Sequence, residues 1–108
     1  MPRELRLSRV DFAKTRSFRR IQGAFFSYSY GVIPGRTTKG GACVVSKKVA
    51  RRAVDRNRIR RQVRGPLIFV LSTLPSPLVI ICQSKKGVLT ARSAEINAEI
   101  ASLSHKIV

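Results

Sequence analysis

The stretch KKVARRAVDRNRIRRQVR, residues Lys47 to Arg64, is the most basic part of this 108-residue chain and organises the rest of it. Nine of its eighteen residues are Lys or Arg, and Asp55 is its single acid. It contains no Gly or Pro and is rich in helix-favouring residues, so we predict a helix of about five turns. Arginines four residues apart on one helix repel one another, which indicates that the helix binds a polyanion.

The whole chain shares this bias, because 22 basic and 5 acidic residues give a formal charge of +17. Such a charge favours nucleic acid as a partner. We find no run of about twenty apolar residues and no apolar signal segment, so we predict a cytoplasmic protein with no membrane span and one domain over residues 1–108. Cys43 and Cys82 lie in apolar runs, and we expect two buried, reduced thiols rather than a disulfide.

The first half of the chain predicts one helix followed by strands. Ser8 to Thr15 begins with a capping pattern typical of a short helix. Phe18 to Gln22 predicts a brief extended piece, and Ala24 to Val32 alternates as a strand does. Ile33 to Gly41 has the Gly and Pro content of a hairpin loop, and Ala42 to Ser46 is a second β-rich run.

The basic helix is expected to end near Arg64, because Gly65-Pro66 disfavours a helix. Its apolar positions form a narrow arc that charged side chains interrupt, which predicts shallow packing on the sheet. The arc contains Val49, Ala53 and Val63, with Ala50 and Ile59 at its edges, and the intruding residues are Arg56 and Arg60.

The last third of the chain alternates between apolar runs and turns. Leu67 to Leu74 is compatible with a helical turn or a loop, and Leu78 to Gln83 predicts a central strand buried on both faces. Ala91 to about Ser104 predicts a helix, capped by Thr90 or Ser93, with an apolar stripe at Ile96, Ile100, Leu103 and Ile107. Helices covering one open sheet make an α+β sandwich.

Candidate catalytic side chains are few. His105 is the single histidine and is expected on the surface. The acids are scattered without metal-ligand or acid–base spacing, so we predict no catalytic residue and no protein metal site. These acids are Glu4, Asp11, Asp55, Glu95 and Glu99, and the last two are expected to solvate the terminal helix. A nuclease that cuts RNA with its own side chains is accordingly the least favoured of the functions that we consider.

Candidate RNA-binding side chains are abundant. Within the basic stretch Arg outnumbers Lys seven to two, which favours forked contacts to phosphates. The aromatic strand offers rings on which unpaired bases can stack. For Phe25, Phe26, Tyr28 and Tyr30, however, packing in the core is the simpler interpretation.

The segment from Val45 to Arg61 closely resembles the bacterial ribonuclease P protein, whose signature is V-S-K-K followed by A-V-x-R-N-R-I-[KR]-R. The resemblance extends to a leading R-L-x-x-x-D-F helix at Arg6 to Phe12, an F-x-x-Y strand at Phe25 to Tyr28, an apolar strand ending in K-x-G-like residues at Lys85 to Gly87, and a closing helix. It therefore covers most of the chain.

The resemblance implies an α-β sandwich, a mixed four-stranded sheet packed by three helices, with a left-handed βαβ crossover through the basic helix. It also implies a subunit of an endoribonuclease whose RNA cuts precursor tRNA at the 5′ end with Mg²⁺, an ion bound mainly by RNA. The implied partners are the catalytic RNA and precursor tRNA. A non-enzymatic RNA-binding protein, such as a ribosomal protein, is the alternative.

Site residues are expected from the charge of the basic stretch together with the same resemblance. The RNA-binding residues are Lys47, Lys48, Arg51, Arg52, Arg56, Asn57, Arg58, Arg60, Arg61 and Arg64. The cleft for the precursor's 5′ leader is expected to contain Phe12, Phe18, Phe25, Tyr28, Ser46 and Lys47.

Overall fold

The computed structural model describes residues 18–75 and 77–107, which fold around one mixed sheet. Its strands stand in the order β1, β2, β4, β3. The β1–β2 and β2–β4 pairs are antiparallel, and the β3–β4 pair is parallel. This confirms the predicted mixed four-stranded α+β fold; the predicted helix at Ser8 to Thr15 lies outside the described residues. The strands are β1 (Arg19–Gln22), β2 (Phe26–Val32), β3 (Gly40–Val44) and β4 (Leu78–Ser84).

Helices cover one face of this sheet. The long helix α1 (Ala53–Thr73) joins the parallel strands β3 and β4, and a 3₁₀ turn (Lys86–Thr90) follows β4. The chain then forms α2 (Ser93–Ala101) and the short α3 (Leu103–Lys106). Within residues 18–75 and 77–107, no helix has the length and apolar character needed to cross a bilayer.

Helix α1 begins later than the sequence suggests. Residues 47–49 form a turn, in which the backbone N–H groups of Val49 and Ala50 both donate to the Ser46 carbonyl. Arg52 is extended and Ala53 is the first helical residue. The prediction of a helix from Lys47 was wrong because Val45 and Ala50 are buried, and burying both requires a change of direction between the strand and the helix.

Helix α1 also ends later, at Thr73, and Pro66 lies inside it. A proline inside a helix loses one backbone hydrogen bond and crowds the preceding turn, at a cost of about 3 kcal/mol. Here Leu67, Val70 and Leu71 bury their side chains completely or almost completely, and full burial of one such side chain contributes about 1.5–3 kcal/mol. Packing therefore outweighs the local cost, and the predicted end near Arg64 was wrong.

The same residues correct the expectation of shallow packing. The buried stripe of α1 does not run through Val49 and Ala53; it continues from Ile59 and Val63 into the apolar second half of the helix. Ala53 is exposed. Because the predicted helix ended at residue 64, the prediction missed the buried half of the stripe that lies beyond it.

The predicted hairpin between the second and third strands was also wrong. Strand β4 lies between β2 and β3, pairing Tyr28 with Cys82 on one side and Cys43 with Cys82 on the other. A strand that is apolar on both faces, as β4 is, is best buried at the centre of a sheet. Its central position, which the sequence predicted, excludes direct pairing of β2 with β3.

Two apolar clusters fill the two sides of the sheet. The larger one joins the helix-facing side of β2 and β4 to α1, α2 and α3, and the predicted stripe residues Ile96, Ile100 and Leu103 are fully buried in it. The smaller one lies on the opposite face and contains Phe18, Ile33, Val79 and Ile81.

Candidate nucleic-acid interface

The exposed cations form one continuous surface along the turn before α1 and the first half of that helix. Of the ten residues predicted to bind RNA, nine are exposed and Arg56 is half-buried. We call the nine exposed residues the basic ridge: Lys47, Lys48, Arg51, Arg52, Asn57, Arg58, Arg60, Arg61 and Arg64.

The ridge faces solvent because the opposite side of α1 is committed to the core. Ile59 and Val63 are fully buried, and with 3.6 residues per turn Arg61 lies on the far side of the helix from both. Asp55 is the one acid between Lys47 and Arg64 in the sequence; it is half-buried and lies close to Arg58. No further acid occurs from Arg56 to Ala94, so the ridge is strongly positive and attracts phosphates.

Two arginines also hold the ridge in shape. The Arg56 guanidinium donates to the carbonyl oxygens of Ala50 (3.0 Å) and Arg51 (2.7 Å), which fixes the extended approach to α1. Arg58 donates to the Leu89 carbonyl at 3.0 Å and lies 4.0 Å from Asp55. Arg56 therefore acts mainly as a structural residue, whereas Arg58 joins the helix to the 3₁₀ turn and still remains exposed.

Asn57 and the remaining arginines differ from these two. The Asn57 side-chain oxygen accepts a hydrogen bond from Arg60 at 3.2 Å, which leaves its amide N–H₂ directed to solvent as a donor. Among the described residues, Arg61 and Arg64 have no hydrogen-bond or ion-pair partner. Their guanidinium forks are available to a ligand without the loss of an internal contact.

The sheet face opposite α1 carries a row of neutral polar side chains that the sequence did not single out. Gln22, Ser27 and Gln83 are register partners on β1, β2 and β4, so their side chains share one face at about 4.8 Å per strand. The Gln22 amide donates to the Ser27 hydroxyl at 3.2 Å. We call these three residues the polar row; the alternation of Ser27 with Phe26 and Tyr28 is the one signal that could have revealed it.

The predicted leader-cleft residues do not form one cluster. Ser46 and Lys47 are exposed just beyond β3, at the end of the sheet where the polar row lies. Phe18 packs on the same face but over Gly31, where a Cβ would stand 2.6 Å from the Phe18 ring. Gly31 pairs with Val79, four residues from Gln83, which is about 13 Å along the strand. Phe12 lies outside the described residues.

Phe25 and Tyr28 lie on the helix side of the sheet, in or against the larger apolar cluster. The Tyr28 ring is 1% exposed, so it has no face free for stacking. Its hydroxyl donates to Glu99 at 2.6 Å. Burial, reinforced by that carboxylate, holds the pKa of Tyr28 far above its ordinary value, so the hydroxyl remains a proton donor. The simpler interpretation of Tyr28 as a core residue is the one that the geometry favours.

Glu99 is the structural residue whose role the sequence obscured. Its carboxylate accepts hydrogen bonds from the backbone N–H groups of Ala24, Phe25 and Phe26 as well as from Tyr28. The expectation that Glu99 only solvates its helix was wrong, because unpaired N–H groups where β2 begins need an acceptor. A glutamate beside an apolar stripe carries no signal of a partner more than seventy residues away.

A protein-held metal site has no basis in residues 18–75 and 77–107, where no three His, Cys, Asp or Glu side chains converge. Cys43 and Cys82 are free thiols. Burial raises the pKa of Cys43 to about 11, and it raises that of Cys82 as well, so both favour the protonated form. These residues do not fit a Mg²⁺ ion, which prefers carboxylate and water oxygens.

Comparison with known proteins shows which family the chain is similar to. Residues 1–108 match the family described as Ribonuclease P. A curated relative, the ribonuclease P protein component of Synechococcus sp. (strain JA-2-3B'a(2-13)), is 38% identical over 63 residues, or 58% of this chain. That match spans about half (47%) of the relative's length.

Solved structures share the fold at low sequence identity. The RNase P protein of Staphylococcus aureus is 20% identical with a TM-score of 0.80, covering 95% of this chain and 94% of its own. The RNase P protein from Thermotoga maritima is 18% identical with a TM-score of 0.78, covering 95% and 97%.

Proposed function

Because the chain belongs to the ribonuclease P family, we propose that it is the protein subunit of an RNA-based endonuclease that removes the 5′ leader from precursor tRNA. The family match favours this function over that of a ribosomal protein. The observation that carries the proposal is the basic ridge, a strongly cationic surface on a helix anchored firmly in the core. Its proposed partner is the catalytic RNA.

In this proposal the ridge neutralises phosphates where RNA segments crowd together. The exposed arginines bind phosphate oxygens in pairs through their guanidinium forks, and Asn57 offers an amide donor to a base edge or sugar. Arg58 is already oriented by the Leu89 carbonyl, so less side-chain entropy is lost when RNA binds.

The precursor leader is proposed to cross the other face of the sheet. The polar row runs across three strands towards Ser46 and Lys47, a path of uncharged hydrogen-bonding groups that ends at a cation. Such a path suits an unpaired strand, whose bases need donors and acceptors and whose backbone needs positive charge. Tyr28 is left out of this proposal because its ring is buried.

The chemistry of cleavage is proposed to belong to the RNA partner. Mg²⁺ would supply an activated water and charge stabilisation at the phosphate, and we propose that RNA holds it, because the described side chains offer no ligand cluster. The protein contributes affinity and orientation. We also propose a cytoplasmic location.

Reconstitution tests this function. The chain is mixed with a transcribed bacterial ribonuclease P RNA at low Mg²⁺, and cleavage of precursor tRNA is measured with the RNA alone, the protein alone and both. We expect cleavage at the 5′ end of the mature tRNA only when both are present. Cleavage by the protein without RNA would contradict the assignment of chemistry to RNA, and no gain over RNA alone would contradict the proposal as a whole.

A further inference from the structure

An exposed aromatic ring continues the basic ridge along the same helix. Phe69 is 62% exposed, the highest value among the large apolar residues that the structure describes. It lies eight residues beyond Arg61, about 12 Å along the helix axis. A single exposed apolar side chain is ordinary on a protein surface, so the feature that points to a partner is the position of this ring in line with the guanidinium of Arg61, which is unpaired in the described part of the chain.

Gly65 lies between Arg61 and Phe69 and leaves the helix backbone there without a side chain. Arg61, Gly65 and Phe69 stand at i, i+4 and i+8, positions that drift by only about 40° per step around the helix. Gly65 is exposed, and a Cβ built on it would meet nothing within 4 Å. A glycine before Pro66 also relieves crowding by the proline ring, and its consequence is a turn of backbone without a side chain.

The charges around Arg61, Gly65 and Phe69 indicate what kind of partner they bind. The segment from Gly65 to Ser84 contains no charged residue, and no acid lies between Asp55 and Glu95 in the sequence, so the second half of α1 carries no negative charge of its own. A flat apolar ring on the same side of a helix as an unpaired guanidinium group is an arrangement that can hold an unpaired nucleotide, with phosphate on the cation and base on the ring. A second copy of this chain is disfavoured, since each copy would bring another charge of +17.

We propose that Arg61, Gly65 and Phe69 form a binding site for one unpaired nucleotide of the RNA partner, with Arg61 on its phosphate, the bare turn at Gly65 beneath it and its base stacked on Phe69. This inference rests on the proposed function, because it needs the basic ridge to bind RNA. It adds a base-stacking contact to a surface otherwise argued from charge alone.

Two variants separate stacking from charge. Stacking of one base predicts that Phe69→Ala lowers affinity for a transcribed ribonuclease P RNA by about 5- to 150-fold while leaving the slope of log affinity against log salt unchanged. Arg61→Ala should reduce the magnitude of that slope by about 0.7–0.9. Thermal unfolding of Phe69→Ala should match that of the wild type, because the ring is exposed.

Fluorescence reports the contact directly, because the chain has no tryptophan. The tryptophan introduced by F69W should be quenched by oligoadenylate of about ten nucleotides, the length that one single-strand-binding domain covers, and much less by a duplex of equal charge. V32W is the matched control: Val32 is 54% exposed and lies at the end of β2, so its tryptophan should not respond.

Each other outcome overturns the site. Wild-type affinity in Phe69→Ala, or equal quenching by duplex and single strand, would show that no base stacks there, while the proposed function would stand. A concentration-dependent shift of the F69W emission without RNA would assign the ring to a second copy. Failure of the wild-type chain to bind the RNA at any salt concentration would remove both this site and the proposed function.

Discussion

The carboxylate of Glu99 binds the backbone at the start of β2. It accepts hydrogen bonds from three consecutive backbone N–H groups and from the Tyr28 hydroxyl, and a Cβ on Gly23 would stand 2.6 Å from its Cδ. A carboxylate is suited to this position because it has two acceptor oxygens and donates no hydrogen bond. Replacing one oxygen by an amide N–H₂ group would set donors against donors.

Glu99→Gln should therefore lower the free energy of unfolding by about 2–4 kcal/mol, because hydrogen bonds to a charged group contribute about 1.5–3 kcal/mol each. Urea unfolding followed by circular dichroism measures the change. Glu95→Gln is the matched control one turn earlier: Glu95 accepts only the Arg92 N–H, at 3.0 Å, and its loss should cost about 1 kcal/mol or less. Equal losses in the two variants would contradict the role given to Glu99.

Cys43 makes stability depend on alkaline pH. Burial raises its pKa from 9.0 to about 11, so the folded state holds the thiol proton more tightly than the unfolded state does. The stabilisation is fully present below pH 9 and is lost as the pH rises towards 11. Urea unfolding of the wild type and Cys43→Ala over this range should show a steeper loss in the wild type. Parallel curves would mean that the Cys43 thiol is as easily ionised when folded as when unfolded.

At the scale of elements, local patterns located most of the strands and misjudged the ends of α1. β4 was predicted from a continuous apolar run, and the buried stripe of α2 from apolar residues that repeat at three- and four-residue steps. The second half of α1 is stabilised by Leu67 and Leu71, which pack against Gly41 of β3. This contact joins distant parts of the chain, so the low helix propensity of Gly65-Pro66 gives no information about it. The place of β4 between β2 and β3 likewise depends on pairing between distant segments.

The candidate site shows the same division. The basic ridge was predictable because charge in a helix is visible in the sequence, and nine of the ten residues named are exposed. The side of the sheet to which Tyr28 points was not predictable, because the alternation from Ala24 to Val32 assigned aromatics to both faces of the predicted strand. Glu99, which decides the matter by holding the Tyr28 hydroxyl, gives no local sign of this partner.

Pro66→Ala tests whether packing holds α1 together across its proline. Alanine restores a backbone donor to the Gln62 carbonyl and removes the crowding by the ring, so the free energy of unfolding should rise by about 1–3 kcal/mol. Leu67→Ala, at the neighbouring buried position, should lower it by about 2–5 kcal/mol. Chemical denaturation of both variants measures the two changes. A destabilised Pro66→Ala would show that the proline ring itself supplies needed contacts.

At the scale of the whole molecule, charge and core are kept apart. Within residues 18–75 and 77–107 no charged residue is buried, while the basic ridge stands on the outer side of α1. Strong self-repulsion normally destabilises a compact state, and this separation limits it by leaving the cations of the basic ridge in water. A bound polyanion reduces the repulsion among these cations. The free energy of unfolding should therefore rise when RNA is bound.

Arg61→Ala and Arg56→Ala should divide binding from folding. Arg61 has no partner in the described part of the chain, so its loss should weaken RNA binding, reduce the magnitude of the salt slope by about 0.7–0.9 and leave stability unchanged. Arg56 holds two carbonyl oxygens before α1, so its loss should lower the free energy of unfolding by about 1–3 kcal/mol. Filter binding across a salt series and urea unfolding measure both. An exchange of these two phenotypes would contradict the assigned roles.

The contact of Glu99 with Ala24 also sets an order of events during translation, since it joins residues 75 positions apart. At roughly 5–20 residues per second, a ribosome needs about 4–15 s to travel from one partner to the other. The basic ridge is synthesised within that interval. The nascent chain therefore presents its cations beside ribosomal RNA seconds before the residue that fastens its first strands has been made.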